Sequence, residues 1–145
     1  MQGVAPTPEP AKPRILIIDD EPGMTQLLAR ILRSGYAVVQ EGEPRKAVAR
    51  VVGGERYDLV LCDLMMAPIG GLEVYEGMIK AAPEMATRFM LMTGGVSSYE
   101  LERKVAKWPH GVLYKPFNVA DVLALVSSKL ERQRVLAAND ASLNR

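Results

Sequence analysis

The 145-residue chain has one cysteine, one histidine, one tryptophan and two phenylalanines, and neither charge is in surplus. Each shortage removes a class of protein. A single cysteine, Cys62, excludes an intramolecular disulfide and a multi-cysteine zinc site, and it fits a reducing compartment. With 18 basic against 17 acidic residues the formal charge is +1. That near balance argues against a general binder of nucleic acid or of a membrane surface, which needs a basic surplus on one face, and leaves room for a local patch. No apolar run reaches the roughly 18 residues of a membrane span. The N-terminus also lacks the basic-then-apolar pattern of a secretory signal. The expected location is the cytoplasm, with no nucleic acid and no membrane among the partners. What is abundant is apolar side chain: 48% of residues, enough for the full core of one domain.

Residues 1–13 carry Pro6, Pro8, Pro10 and Pro13 and almost no large apolar side chain. Such a stretch buries too little surface to offset its ordering entropy, so a disordered or extended tail is expected there. From Arg14 the texture changes. Ile15–Ile18, Tyr36–Val39, Leu59–Cys62, Phe89–Met92 and Gly111–Tyr114 form five short apolar runs, each suited to a buried strand. Between and after them apolar residues recur at helical spacing, as in Met24, Leu27, Leu28, Ile31 and Leu32 behind Pro22, a residue the first turn of a helix tolerates. The fourth helix, 96–106, has the poorest apolar face, and the fifth, through Val119, Val122, Val126 and Leu130, has the clearest. Five strands alternating with five helices predict an α/β fold, a doubly wound parallel sheet covered on both faces. The domain is expected over 14–131, with a helix end and a frayed polar tail over 132–145.

The residues at the strand ends carry the chemistry. Strand one stops at Asp19-Asp20, strand three at Asp63, strand four at Thr93 and strand five at Lys115. In a parallel sheet these ends share one edge, where such folds bind their ligands. Three carboxylates in one pocket repel one another unless a cation or a shared proton intervenes. An all-oxygen site of that kind suits Mg²⁺. A lysine and a hydroxyl beside it can neutralise and orient a phosphoryl group, and aspartate can accept one as a nucleophile.

Over residues 14 to about 131 the sequence resembles the receiver domains of two-component response regulators. The motifs that carry the resemblance are Ile-Ile-Asp-Asp-Glu-Pro at 17–22, Leu-Cys-Asp-Leu-Met-Met at 61–66, Met-Thr-Gly-Gly at 92–95 and Lys-Pro-Phe at 115–117. The steps of 30 residues from Asp63 to Thr93 and of 22 from Thr93 to Lys115 match as well. Met-Thr-Gly-Gly is particularly similar to receivers appended to hybrid histidine kinases. The resemblance implies a flavodoxin-like fold with strand order 2-1-3-4-5 and a signalling phosphoacceptor rather than an enzyme. It implies phosphorylation of Asp63 by a sensor histidine kinase or phosphotransfer protein, self-phosphorylation from small donors, autodephosphorylation, and an output protein of unknown identity. By the same resemblance, Asp20, Asp63 and the main-chain carbonyl of Met65 hold Mg²⁺ directly and Asp19 holds it through water. Lys115 pairs with a phosphoryl oxygen and Thr93 senses it.

Two positions depart from the family pattern. Ala67 stands where proline is usual four residues after the acceptor, with Pro68 behind it. Val112 stands where the family has a switch aromatic three residues before the lysine, which puts the usual aromatic flip in doubt. Tyr114, on the same face of the strand as Val112, is the candidate to replace it. Two other readings compete. A haloacid-dehalogenase-like phosphatase also uses a nucleophilic aspartate with Mg²⁺, but it wants a second aspartate at the position of Met65, and a cap domain. A degenerate receiver acting only as a scaffold is opposed by the intact set of Asp19, Asp20, Asp63, Thr93 and Lys115. Read singly, the aspartates are ordinary turn or cap residues, Thr93-Gly94-Gly95 is a tight turn, and Cys62 is core. Met65, Met66, Met90 and Met92 are packing residues. His110, with Trp108 and Pro109, is expected in a surface loop, and as the only histidine it argues against a phosphodonor.

Overall fold

Strands rich in Ile, Leu and Met on both sides have to be covered twice, and that requirement sets the architecture. The computed structural model describes residues 11–95 and 98–143. In it β1 (Arg14–Ile18), β2 (Ala37–Glu41), β3 (Leu59–Asp63), β4 (Phe89–Thr93) and β5 (Val112–Tyr114) form one parallel sheet in the order β2-β1-β3-β4-β5. Five α-helices join or follow the strands: α1 (Pro22–Leu32), α2 (Pro44–Val52), α3 (Gly71–Ala81), α4 (Tyr99–Ala106) and α5 (Val119–Leu143). The doubly wound α/β fold expected from the alternation is the fold observed.

Alternation along the strands divides the core in two. Leu16, Ile18, Val60, Cys62 and Leu91 point to the side covered by Ala47 and Val51 of α2, Val74 and Met78 of α3 and Val105 of α4. Ile15, Ile17, Leu61, Met92 and Leu113 point to the side covered by Leu28 and Leu32 of α1 and by Val122 and Val126 of α5. Most of these side chains are fully buried, each contributing about 1.5–3 kcal/mol of transfer free energy. Pro22 opens α1 in its first turn, as its spacing predicts.

Several boundaries differ from the sequence reading. β2 starts one residue later and ends two residues later than expected, because the main-chain N–H of Ala37 donates to Pro13 and Asp19 N–H donates to Glu41, which draws Gln40 and Glu41 into the ladder. A short 3₁₀ helix, Pro83–Arg88, precedes β4 and buries Met85; its span is too short to show a helical period. The expected start of the fourth helix at 96 lies outside the described residues, as do Pro6, Pro8 and Pro10 of the tail. The largest difference concerns residues 139–143. Helix α5 runs 25 residues to Leu143, past Asn139, where fraying was expected. Ala137, Ala138 and Ala141 are strong helix formers, Arg134 pairs with Glu131 one turn back, and Gln133 donates to the carbonyl of Thr87.

Gly71, the first residue of α3, lets the loop after β3 fold back on the strand end. Its N–H donates to the carbonyl of Leu64 at 2.9 Å, and a Cβ there would stand 2.5 Å from the Asp63 carbonyl oxygen and 3.1 Å from Leu64 Cα. Both neighbours are backbone and cannot turn aside. Gly71→Ala is therefore expected to lower stability by about 1–3 kcal/mol in urea denaturation. Gly23→Ala, in a helix position with nothing within 4 Å, is the control and should be neutral or stabilising by up to about 1 kcal/mol.

Candidate functional site

The carboxyl ends of β1, β3, β4 and β5 meet on one edge and bring Asp19, Asp20, Asp63, Thr93 and Lys115 into one region. Asp19 is 0% exposed and Asp63 is 7% exposed, while Asp20 is open to solvent. One carboxylate oxygen from each of the three aspartates lies within 4.8 Å of the others. Lys115 Nζ donates to Asp19 Oδ2 and to Asp63 Oδ1, both at 3.2 Å. The second oxygen of Asp19 accepts the N–H of Glu21 at 3.0 Å, so the buried carboxylate is satisfied on both oxygens.

The electrostatics follow from this crowding. Burial, then the neighbouring Asp19, raises the Asp63 carboxyl above its ordinary range, and the pull of Lys115 in the other direction does not cancel them. Burial acts to lower the Lys115 ammonium, but the Asp63 and Asp19 carboxylates outweigh it and leave it above the usual lysine value. Cys62 is fully buried and its thiol is pushed well up, by burial first and then by Asp63. It is the inert core residue its setting predicts.

Three carboxylates and one ammonium leave the pocket with an excess of negative charge, and the donors are hard oxygens. Mg²⁺ binds oxygen at about 2.0–2.1 Å, so oxygens on opposite sides of it lie about 4.2 Å apart. The observed cluster is close to that span, and the donor set fits a magnesium ion.

Thr93 is buried at the end of β4, in register with Tyr114 of β5. Its hydroxyl is engaged locally, donating to the Gly95 carbonyl and accepting the Gly95 N–H, both at 3.1 Å. Its carbonyl accepts the N–H of Lys115 at 2.8 Å, which fixes the root of the lysine. Met65 follows in the loop, with its side chain half exposed, and Val112 packs at the edge of the core while Tyr114 is 62% exposed. The Ala67-Pro68 and Lys115-Pro116 peptide bonds are both cis.

His110 lies in the loop expected, half-buried, but the loop's tryptophan is packed against the core. Trp108 packs inward, its ring 4.7 Å from Tyr75 and 6.1 Å from Phe89, and His110 stacks at its edge. Apolar partners from α3 and β4 were not visible from the local sequence. The roles of Glu21 N–H and of Gly94, over which the Lys115 stem passes with Cβ and Cδ 3.7 and 3.9 Å from where a Gly94 Cβ would stand, were also missed. Both are contacts of backbone or of a missing side chain, which residue types do not announce.

With this geometry in view, known proteins supply the family. The response regulator receiver domain matches residues 15–127. The transcriptional regulatory protein TcrA of Mycobacterium tuberculosis is 32% identical over 90% of this chain and 53% of its own length. The transcriptional activator protein PfeR of Pseudomonas aeruginosa is 30% identical over 85% of this chain and 39% of its own. The chain thus spans about half the length of the first of these curated relatives, or less, and what their names say of transcription is said of them. Among solved structures, a CheY-like receiver domain protein from Methanospirillum hungatei aligns with a TM-score of 0.74 at 26% identity, covering 86% of this chain and 98% of its own. The chemotaxis protein CheY4 of Vibrio cholerae aligns with a TM-score of 0.70 at 24% identity, covering 81% and 98%, a likeness of fold. No described helix is long and apolar enough to cross a membrane. The chain belongs to the response regulator receiver domain family.

Proposed function

We propose that Asp63 is the phosphoacceptor of a Mg²⁺-dependent two-component relay, receiving its phosphoryl group from a sensor histidine kinase or phosphotransfer protein in the cytoplasm. The observation that carries this reading is the cluster itself: three carboxylates within 4.8 Å and one lysine bridging two of them at 3.2 Å. A carboxylate oxygen of Asp63 forms the new P–O bond as the P–N bond to the donor imidazole breaks and its electron pair leaves with the ring. Asp20, Asp63 and the Met65 carbonyl would hold the metal, with Asp19 reaching it through water. When bound, the ion supplies Lewis-acid charge stabilisation to the phosphoryl oxygens. Lys115, already within hydrogen-bond reach of the acceptor oxygen, is positioned to follow charge onto the phosphoryl group. Thr93 would have to exchange its bonds with Gly95 for one to that group. Release of the phosphoryl group by water returns the switch.

Acetyl phosphate with Mg²⁺ is expected to add one phosphoryl group to the wild-type chain and none to Asp63→Asn, read as intact mass. Equal labelling of the variant would overturn the assignment of the acceptor.

Metal binding to the folded state alone raises the melting temperature, by about 2.7 kcal/mol of stability at a hundredfold excess over Kd. Asp20→Asn removes one of the repelling carboxylates. It should melt no lower than wild type in chelator and should lose the Mg²⁺ response. A full response from the variant would remove Asp20 from the ligand set.

The output route passes through Tyr114 and α4. Tyr114 is exposed beside the strand that carries Thr93, and α4 buries only Val105, so its local stability is low. Beryllofluoride is expected to change amide exchange mainly at 93–95 and 98–117, and Tyr114→Ala should blunt that change while leaving phosphorylation of Asp63 intact. An exchange response identical to wild type's would retire Tyr114 as the switch residue.

A further inference from the structure

Helices α3 and α4 do not close on each other, and between them runs a cleft of about 600 Å³. Its floor is apolar, built from Leu64, Met66, Leu72, Tyr75, Leu101 and Trp108. Its two rims carry opposite charge: Glu73 and Glu76 on α3, Lys104 on α4 and Lys107 at the cap that ends α4. On both helices the charged pair is spaced i,i+3, one turn apart and about 4.5 Å along the axis. Among the described residues Glu73, Glu76 and Lys107 have no ion-pair partner, and Lys104 has only the solvent-exposed Glu100 at 3.9 Å. The indole Nε1 of Trp108, beneath this floor, is buried with no hydrogen-bond partner among the described residues.

We infer that this cleft is the docking groove for an amphipathic helix of a partner protein, whose apolar stripe is flanked by acidic residues on one side and basic residues on the other. A rod lying between two helices meets their side chains at helical intervals, so rim charges one turn apart select a helix over an extended strand. Acidic residues would face Lys104 and Lys107, and basic residues would face Glu73 and Glu76, which fixes the direction of the partner helix as well as its register. The floor suits the apolar stripe: two aromatic rings give it shape, and Met66, with Met65 at its mouth, lets it adapt. Met65 is also two residues from Asp63, so occupancy of the groove and the state of the acceptor share one loop. The inference names the kind of output partner and so deepens the proposed function. Docking is tested on the unmodified chain, so its failure is distinct from failure of Asp63 to accept a phosphoryl group.

The experiment is selection of a displayed library of helical peptides against the whole unmodified chain, followed by titration of the enriched peptides. Trp108 is the single tryptophan, so its fluorescence and its one indole N–H resonance both report the groove. Enriched peptides are expected to share an i, i+4, i+7 apolar stripe with opposite charges on its two flanks, and to shift the Trp108 signals. Lys104→Glu with Lys107→Glu, both exposed and remote from the core, should weaken binding by about tenfold or more. Exchanging the peptide's acidic flank for a basic one should restore it. Peptides indifferent to the charge reversal, or shifts confined to residues outside the groove, would overturn the inference, as would failure to enrich any helix. Self-association of the chain that the same reversal abolishes would also overturn it, since the groove would then hold a second copy.

Discussion

One ammonium group holds the functional edge of the sheet together. Asp19 and Asp63 end adjacent strands, so their carboxylates are driven towards each other by the pairing of β1 with β3. Lys115 bridges them at 3.2 Å each, yet it comes from β5, with β4 lying between. Its side chain has to cross the end of β4, and the stem does so over Gly94, where an added Cβ would stand 3.7 Å from Lys115 Cβ, in ordinary van der Waals contact. The Thr93 carbonyl fixes the lysine at its root and Glu21 N–H fixes Asp19 at the other end. Removing the lysine would leave a buried carboxylate without its cation, which is why a structural and a functional role cannot be separated there.

The same lysine does not satisfy the pocket. One positive charge against three carboxylates leaves the site negative, and the Asp63 carboxyl is raised by its burial first and by the neighbouring Asp19 second. A fully neutralised cluster would be a structural ion pair with nothing further to bind. A divalent cation held by these carboxylates would offset the remaining repulsion, and Lys115 would then be available to follow charge onto the proposed acceptor. The pocket is thus strained in electrostatic terms only where a metal and a phosphoryl group are expected, while the hydrophobic core beneath it is closed.

Much of this was legible from residue order. Strand ends in a parallel sheet are brought to one edge by topology, so Asp19, Asp20, Asp63, Thr93 and Lys115 could be gathered from the ends of four short apolar runs. The extension of α5 to Leu143 was not legible, because a polar, solvent-facing helix carries little apolar periodicity and is held by alanine propensity and a few tethers such as Gln133 to Thr87. The inward packing of Trp108 was equally hidden: its partners Tyr75 and Phe89 come from distant elements. Local sequence around Trp108-Pro109 reads as a loop, and loop it is, but one whose largest side chain belongs to the core.

Strand alternation adds a constraint on how any signal leaves the site. Asp63 shares a face of β3 with Leu59 and Leu61, on the side of α1 and α5. By the same alternation Asp19 follows Ile15 and Ile17, and Lys115 follows Leu113. Thr93 instead follows Phe89 and Leu91, whose face is covered by α3 and α4, and Val112 and Tyr114 lie on that second side. The charges and the candidate switch residues therefore belong to opposite faces of one sheet. The acceptor and α4 are joined around the sheet edge by the Thr93-Gly95 turn with the Lys115 N–H to Thr93 carbonyl bond, and also by the loop after β3 that lines the α3–α4 cleft. The Thr93 main chain bonds the Lys115 N–H, while its hydroxyl, on the other face, is engaged by Gly95. That position, rather than the hydroxyl alone, is the geometric basis of the switch role proposed for it.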